Sequence, residues 1–236
     1  MDNYEFISQN LSEIDSQIKQ ACQTTGRDCE NVKLICVSKT KPVEMLKAAY
    51  NAGYREFGEN KVQEITLKAP EMPDDTIFHM IGHLQKNKVK KAVQYAEIIH
   101  SVDSYELAEV INNEAGKINK VQKILIEINI ASEESKYGVK TESVAGLIKK
   151  LSEFENIKIC GLMCVAPFTE EAESNRQYFR TMQNLLIDIN SLNINNVNMD
   201  ILSMGMSGDF KVAIEEGATH VRVGTAIFGE RDYTKK

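Results

Sequence analysis

After Gly26, short apolar runs alternate with longer stretches in which apolar residues recur every three or four positions. Eight runs read as strands, at 32–38, 56–58, 77–82, 98–102, 124–130, 159–165, 201–206 and 220–224. The second is short and is read as a strand because Gly53 and Gly58 bracket it. Helical periodicity fills the intervals at 43–52, 60–69, 85–96, 104–118, 141–153, 170–192 and 208–216. Two of these open on N-cap chemistry. Asp103 or Ser104 precedes Leu107, Val110 and Ile111, and Thr141 precedes Val144, Leu147, Ile148 and Leu151. In front of the first strand, Phe6, Ile7, Leu11, Ile14 and Ile18 form a near-helical stripe that Gly26 should end.

Strand–helix alternation without hairpin signals means parallel strands joined by right-handed crossovers. Eight strands, seven intervening helices and a leading helix predict an α/β fold, the closed (β/α)8 TIM barrel. An open doubly wound sheet is the competing arrangement. Its dinucleotide-binding form needs a GxGxxG turn after a strand, which this sequence lacks. No low-complexity linker interrupts residues 1–236, so one domain is expected.

Composition narrows the function classes. A chain of 236 residues suits one α/β barrel, and 42% hydrophobic content can fill its core. A net charge of −6 argues against nucleic acid or an anionic membrane as partner. No run is long and apolar enough to span a bilayer, and the acidic start lacks a signal-peptide core. The five cysteines, Cys22, Cys29, Cys36, Cys160 and Cys164, are odd in number and sit inside helix-like or strand-like runs. They read as buried free thiols in a reducing cytosol, so a cytoplasmic protein without metal ligands is expected. Lys86, Lys88, Lys90 and Lys91 read as a solvated helix face.

In such a barrel, ligands gather at the carboxyl ends of the strands. The first run ends in Ser38-Lys39-Thr40, the second in Gly58-Glu59-Asn60, and the third carries His79. Lys39 reads either as a surface lysine or as an amine in an apolar mouth, nucleophilic through desolvation. Ser207-Gly208-Asp209, after the seventh run, alone reads as a helix cap. Paired with Gly224-Thr225 after the eighth, it reads better as a phosphate cradle. Strand alternation turns Arg222 toward the barrel mouth and Val221 and Val223 toward the helices. Arg222 is then either a structural arginine paired with a carboxylate or a fixed cation beside a ligand. A lysine, a phosphate cradle and an inward arginine are what pyridoxal 5′-phosphate requires, with the arginine facing the pyridine nitrogen. A cation there disfavours ring protonation and makes the ring a weaker electron sink.

The order of motifs carries a resemblance. They are Val37-Ser38-Lys39-Thr40-Lys41-Pro42, Phe57-Gly58-Glu59-Asn60, His79-Met80-Ile81-Gly82-His83-Leu84-Gln85, Ser101-Val102-Asp103-Ser104 and Gly161-Leu162-Met163. Ser203-Met204-Gly205-Met206-Ser207-Gly208-Asp209 and the stretch from Val221 to Gly229 follow. Nearly end to end, the chain resembles the pyridoxal phosphate homeostasis proteins (the YggS/PROSC family), which are similar to the alanine racemase barrel domain without its second domain. The resemblance implies a barrel of the alanine racemase N-terminal-domain type and Lys39 as the lysine that carries the cofactor as a Schiff base. It implies Ser207, Gly224 and Thr225 at the phosphate and Arg222 at the pyridine nitrogen. Asn60, His79 and Met163 match positions lining the same mouth. Phe78 stands where the family usually has tryptophan, which implies altered packing without loss of binding.

Racemisation needs bases on both faces of the substrate adduct. The sequence ends seven residues after Gly229, leaving no room for the racemase second domain. Tyr137, Cys164 and His83 are the remaining candidates for a second base. The expectation is a non-enzymatic carrier and buffer of pyridoxal phosphate in vitamin B6 homeostasis. It is expected to be monomeric, with cofactor-requiring apo-enzymes as candidate partners. The alternatives are an amino-acid racemase or decarboxylase using the same cofactor, and a cofactor-free barrel enzyme binding a phosphorylated metabolite. The 132–138 loop reads as a surface turn, with a lid as the sharper alternative.

Overall fold

A computed structural model describes residues 4–131 and 137–230. Most of the loop at 132–138 therefore lies outside the described residues. The elements run α1 (Glu5–Thr25), β1 (Lys33–Val37), α2 (Val43–Asn51), β2 (Glu56–Glu59), α3 (Val62–Lys68), β3 (Ile77–Met80), α4 (Val89–Tyr95), β4 (Ile98–Val102), α5 (Tyr105–Gly116) and β5 (Gln122–Ile128). They continue with α6 (Val144–Leu151), β6 (Ile157–Cys164), α7 (Arg176–Ser191), β7 (Val197–Ser203), α8 (Phe210–Glu215), β8 (His220–Val223) and α9 (Thr225–Phe228). The strands pair in parallel in sequence order, and β8 closes on β1 through Leu34 opposite Val221 and Ile35 opposite Arg222. This is the closed (β/α)8 barrel.

Where the boundaries differ from the apolar pattern, pairing or turn geometry explains the shift. β7 begins at Val197, four residues before its apolar run, because Val197 pairs with Ile159 across an otherwise polar stretch. The helical stretches near 86, 141 and 172 open with 3-10 turns, so their α-helices start later than periodicity suggests. Ser104 is the cap of α5, its hydroxyl accepting the Leu107 N–H at 3.4 Å. Gly26 ends α1 in the left-handed region, at φ 67°. The four-residue α9 was hidden from periodicity by its shortness.

The apolar core divides in two. Most of it, Val221 and Val223 included, lies between the strands and the helices. A smaller cluster of Ile98, Leu125, Cys160 and Met163, with Ile201 against it, lies within the barrel. α1 buries Ile7, Leu11, Ile14 and Ile18 and packs against α2, α8 and α9, while Phe6 stays partly exposed. The Asn10 side chain donates to the Ile227 carbonyl at 2.9 Å, which ties α1 to α9.

Candidate functional site

A cavity of about 370 Å³ opens at the carboxyl ends of the strands. Pockets that enclose a small ligand span about 300–1,000 Å³. Its wall combines Lys39 and Lys41 after β1, Asn60 after β2, the 165–169 segment after β6, the 206–209 turn after β7, and Arg222, Gly224 and Thr225 from β8 and α9.

Both neighbours of Lys39 are pinned. The Ser38 hydroxyl donates to Glu59 Oε1 at 2.7 Å. Thr40 takes the left-handed conformation at φ 66°, and its N–H donates to Glu64 Oε2 at 2.6 Å. Lys68 Nζ joins these groups, donating to Glu59 Oε1 at 2.7 Å, Glu64 Oε2 at 2.9 Å and the Ser38 carbonyl at 2.9 Å. Burial pushes the Glu59 carboxyl up to about 7, against the pull of Lys68. Gly82 keeps Asn60 in place, because a Cβ at Gly82 would lie 2.5 Å from the Asn60 carbonyl oxygen.

The opposite wall is built from backbone. Gly205, at φ 87°, lets the chain turn tightly after β7; a Cβ there would sit 2.6 Å from that of Ala213. Asp209 precedes α8 but does not cap it with its side chain. Its carboxylate accepts from the Met206 N–H at 2.7 Å and from Asn175 Nδ2 at 2.8 Å, tying the β7 turn to the segment before α7. Ser207 Oγ accepts the Gly224 N–H at 3.3 Å, so the two halves of the cradle touch. The next N–H groups, of Thr225 and Ala226, begin α9 and have no acceptor within that helix. At its other end, Lys41 Nζ donates to the carbonyls of Phe228 and Gly229, both at 3.0 Å, and Glu230 at 2.7 Å. A Cβ on Gly208 would meet nothing within 4 Å.

Arg222 lies inside the barrel, 5% exposed. It donates to Ser203 Oγ at 2.6 Å and to the Cys164 carbonyl at 2.8 Å. Burial lowers its pKa from the ordinary arginine value, but a guanidinium stays charged at any physiological pH. The lining thus carries Lys39, Lys41 and Arg222 against Asp209, a local positive excess in a chain of net charge −6.

Six of the eight residues singled out from sequence line this one cavity: Lys39, Asn60, Ser207, Arg222, Gly224 and Thr225. The structure places His79 and Met163 elsewhere. His79 is buried within the barrel, between Glu56 Oε2 at 2.5 Å and His100 Nε2 at 2.9 Å. Met163 packs in the inner apolar cluster. Of the residues considered as a second base, Cys164 is buried in β6, and His83 and Tyr137 stack on each other at 3.8 Å between ring centroids. None of the three lines the cavity.

Sequence reasoning passed over Lys41, Glu64, Lys68, Asn175 and Phe168. It also passed over Glu127, although a carboxyl inside the apolar run of β5 was a readable signal. Burial, reinforced by Asp103 and opposed by Arg222, pushes Glu127 up to about 7, and its Oε2 has no hydrogen-bond partner among the described residues. A carboxyl whose folded pKa is raised contributes its full stability below the ordinary value and loses it as pH rises through the folded one. Glu127→Gln should therefore match the parent near pH 4 and exceed it at pH 8, by up to roughly 3 kcal/mol. Urea midpoints at the two pH values measure this, and an equal gain at both would refute ionisation as the cause.

Comparison with known proteins places this architecture. Residues 9–232 match the family model described as alanine racemase, N-terminal domain. The pyridoxal phosphate homeostasis protein of Aquifex aeolicus is 44% identical over 226 residues, covering 95% of this chain and 98% of that one. This chain belongs to the pyridoxal phosphate homeostasis protein family. Among solved structures, a protein of unknown function from Bifidobacterium adolescentis superposes with a TM-score of 0.92 at 32% identity, covering 97% of both chains. PipY of Synechococcus elongatus, solved with pyridoxal phosphate bound, superposes with a TM-score of 0.83 at 34% identity, covering 94% of this chain and 100% of that one. The family barrel is thus present over nearly the whole chain, and the cavity described above occupies its carboxyl-terminal mouth. Among the described residues no helix is long and apolar enough to cross a membrane.

Proposed function

We propose that this chain binds pyridoxal 5′-phosphate in the cavity at the barrel mouth and serves as a carrier of the cofactor, without sustained catalytic turnover. One observation carries the reading: the lysine after β1, the buried cation in β8 and the paired cradle after β7 and β8 line a single cavity. The donor set suits the group. Lys39 would hold the aldehyde end. Ser207, Gly224 and Thr225 would hold the phosphate, beside the helix-opening N–H groups and the open space over Gly208. Arg222 would face the ring nitrogen. Asn60 would line the mouth, while His79 and Met163 would act from beneath the site, through the barrel interior. When bound, pyridoxal phosphate supplies an aldehyde that condenses reversibly with a primary amine. The similarity to PipY, solved with the cofactor, supports the same assignment.

The carrier role rests on what the other titratable lining groups do. Lys41 is committed to three carbonyls, Asp209 to Met206 and Asn175, and Arg222 to Ser203 and Cys164. A two-base racemase needs a proton-transfer group facing Lys39 across the substrate. The rim residues Phe168 and Met206 are 94% and 37% exposed, which suits release of the cofactor to apo-enzymes. Loaded protein incubated with L-amino acids should leave their circular dichroism unchanged over many equivalents. Sustained loss of signal for any one amino acid would replace the carrier with an enzyme, a racemase or a decarboxylase.

A further inference from the structure

Beneath Arg222 a continuous polar chain crosses the barrel interior. Arg222 donates to Ser203 Oγ at 2.6 Å, and Ser203 Oγ lies 3.0 Å from His100 Nδ1. His100 Nε2 lies 2.9 Å from His79 Nδ1, and His79 Nε2 lies 2.5 Å from Glu56 Oε2. His79, His100 and Ser203 are at most 1% exposed, whereas the Glu56 side chain is 22% exposed. Glu56 begins β2, at the amino-terminal end of the barrel, opposite the cavity. Five residues from five strands thus connect the two ends.

Hydrogen-bond inventory sets the direction of this chain. Arginine can only donate, so Ser203 Oγ accepts from it. The Ser203 hydroxyl proton has His100 Nδ1 as its acceptor among the described residues. His100 must then carry its proton on Nε2 and donate to His79 Nδ1. His79 in turn donates from Nε2 to the Glu56 carboxylate. Every donor points away from the cavity toward Glu56. The surroundings agree with a neutral His100: burial, then His79, His220 and Arg222, hold it well below the usual imidazole range. The titratable and charged groups packed around the pair are Glu56 in β2, Lys33 in β1, and His220 and Arg222 in β8.

We infer that Ser203, His100, His79 and Glu56 form a one-way positioning relay that holds the Arg222 guanidinium in a single setting at the floor of the site. None of the four lines the cavity, so each is a positioning residue. The inference rests on the proposed function where it concerns the cofactor, because Arg222 is the relay's contact with it. The relay also gives buried His79 a task that a lining role does not.

Two arms test the relay. In the cofactor-free protein, long-range 1H–15N NMR should show His100 as the neutral Nε2–H tautomer and a far-downfield proton on His79 Nε2. Glu56→Gln, nearly isosteric, should move both signals, while the neighbouring charge change Lys33→Met should not. A His100 protonated on Nδ1, or unmoved histidine signals in Glu56→Gln, overturns the relay whether or not any cofactor binds. In the loaded protein, Ser203→Ala should raise the pyridoxal phosphate dissociation constant about tenfold, the scale of a lost hydrogen bond to a charged group. It should also shift the absorbance band, with Glu56→Gln shifting it in the same direction by less. An unchanged band and affinity in Ser203→Ala overturns the link to Arg222. A parent protein that never develops the band instead removes the proposed function and leaves the NMR arm decisive.

Discussion

Lys39→Ala is expected to abolish covalent retention of pyridoxal phosphate. After borohydride reduction the parent chain should gain one pyridoxyl group, located by mass spectrometry on Lys39, and the variant should gain none. The dissociation constant should rise by roughly two orders of magnitude, about 2.7 kcal/mol. The phosphate cradle and Arg222 would still contribute non-covalent binding. Lys41 provides the control, being two residues away and in the same lining. Its Nζ donates to the carbonyls at the end of α9, so it should carry no label. A pyridoxyl group on Lys41, or an unchanged visible band in Lys39→Ala, would sink the assignment.

The second large effect is expected at a residue that does not touch the cavity. Lys68 is buried and is the shared donor to Glu59, Glu64 and the Ser38 carbonyl. Removing one member of a buried ion pair strands its partner, which typically costs roughly 3–5 kcal/mol. Lys68→Met should therefore lower stability by about that much in denaturant titration. Glu59 is fully buried, whereas the Glu64 side chain is 19% exposed and keeps access to water. The stranded charge is therefore that of Glu59, and Glu59→Gln added to Lys68→Met should recover a large part of the loss. The loss should also be smaller at pH 5 than at pH 8, since burial already favours protonated Glu59. Because the same network pins Ser38 and Thr40 around Lys39, the single variant should also bind cofactor more weakly. Additive effects in the double-mutant cycle would show that Lys68 and Glu59 do not act as a pair.

Much of the site could be read from sequence because barrel chemistry collects at strand ends. Lys39, Asn60 and the Ser207 and Gly224 turns each follow an apolar run, so locating the runs located them. Arg222 was legible because alternation within β8 sends it to the side opposite Val221 and Val223. Alternation carries no information on depth, as His79 shows. Alternation has a period of two and distinguishes inside from outside, but it does not say how far along the barrel axis a residue sits. His79 and Arg222 both point inward, yet Arg222 reaches the cavity and His79 reaches Glu56 at the other end.

By itself, the sequence determined the order of strands and helices, the closed parallel barrel they imply, and the lysine, cradle and inward cation of the site. These follow from apolar periodicity and turn chemistry, which are properties of neighbouring residues. The tertiary structure alone decided which side chains share a hydrogen bond. Lys41 meets carbonyls 187 or more residues away, and His100 meets Ser203 across 103 positions. Such partners are set by strand tilt, stagger and register around the closed barrel, which no local pattern encodes. Hence Lys39 could be found in the sequence, but its Lys68–Glu59–Glu64 support and the polar relay beneath Arg222 could not.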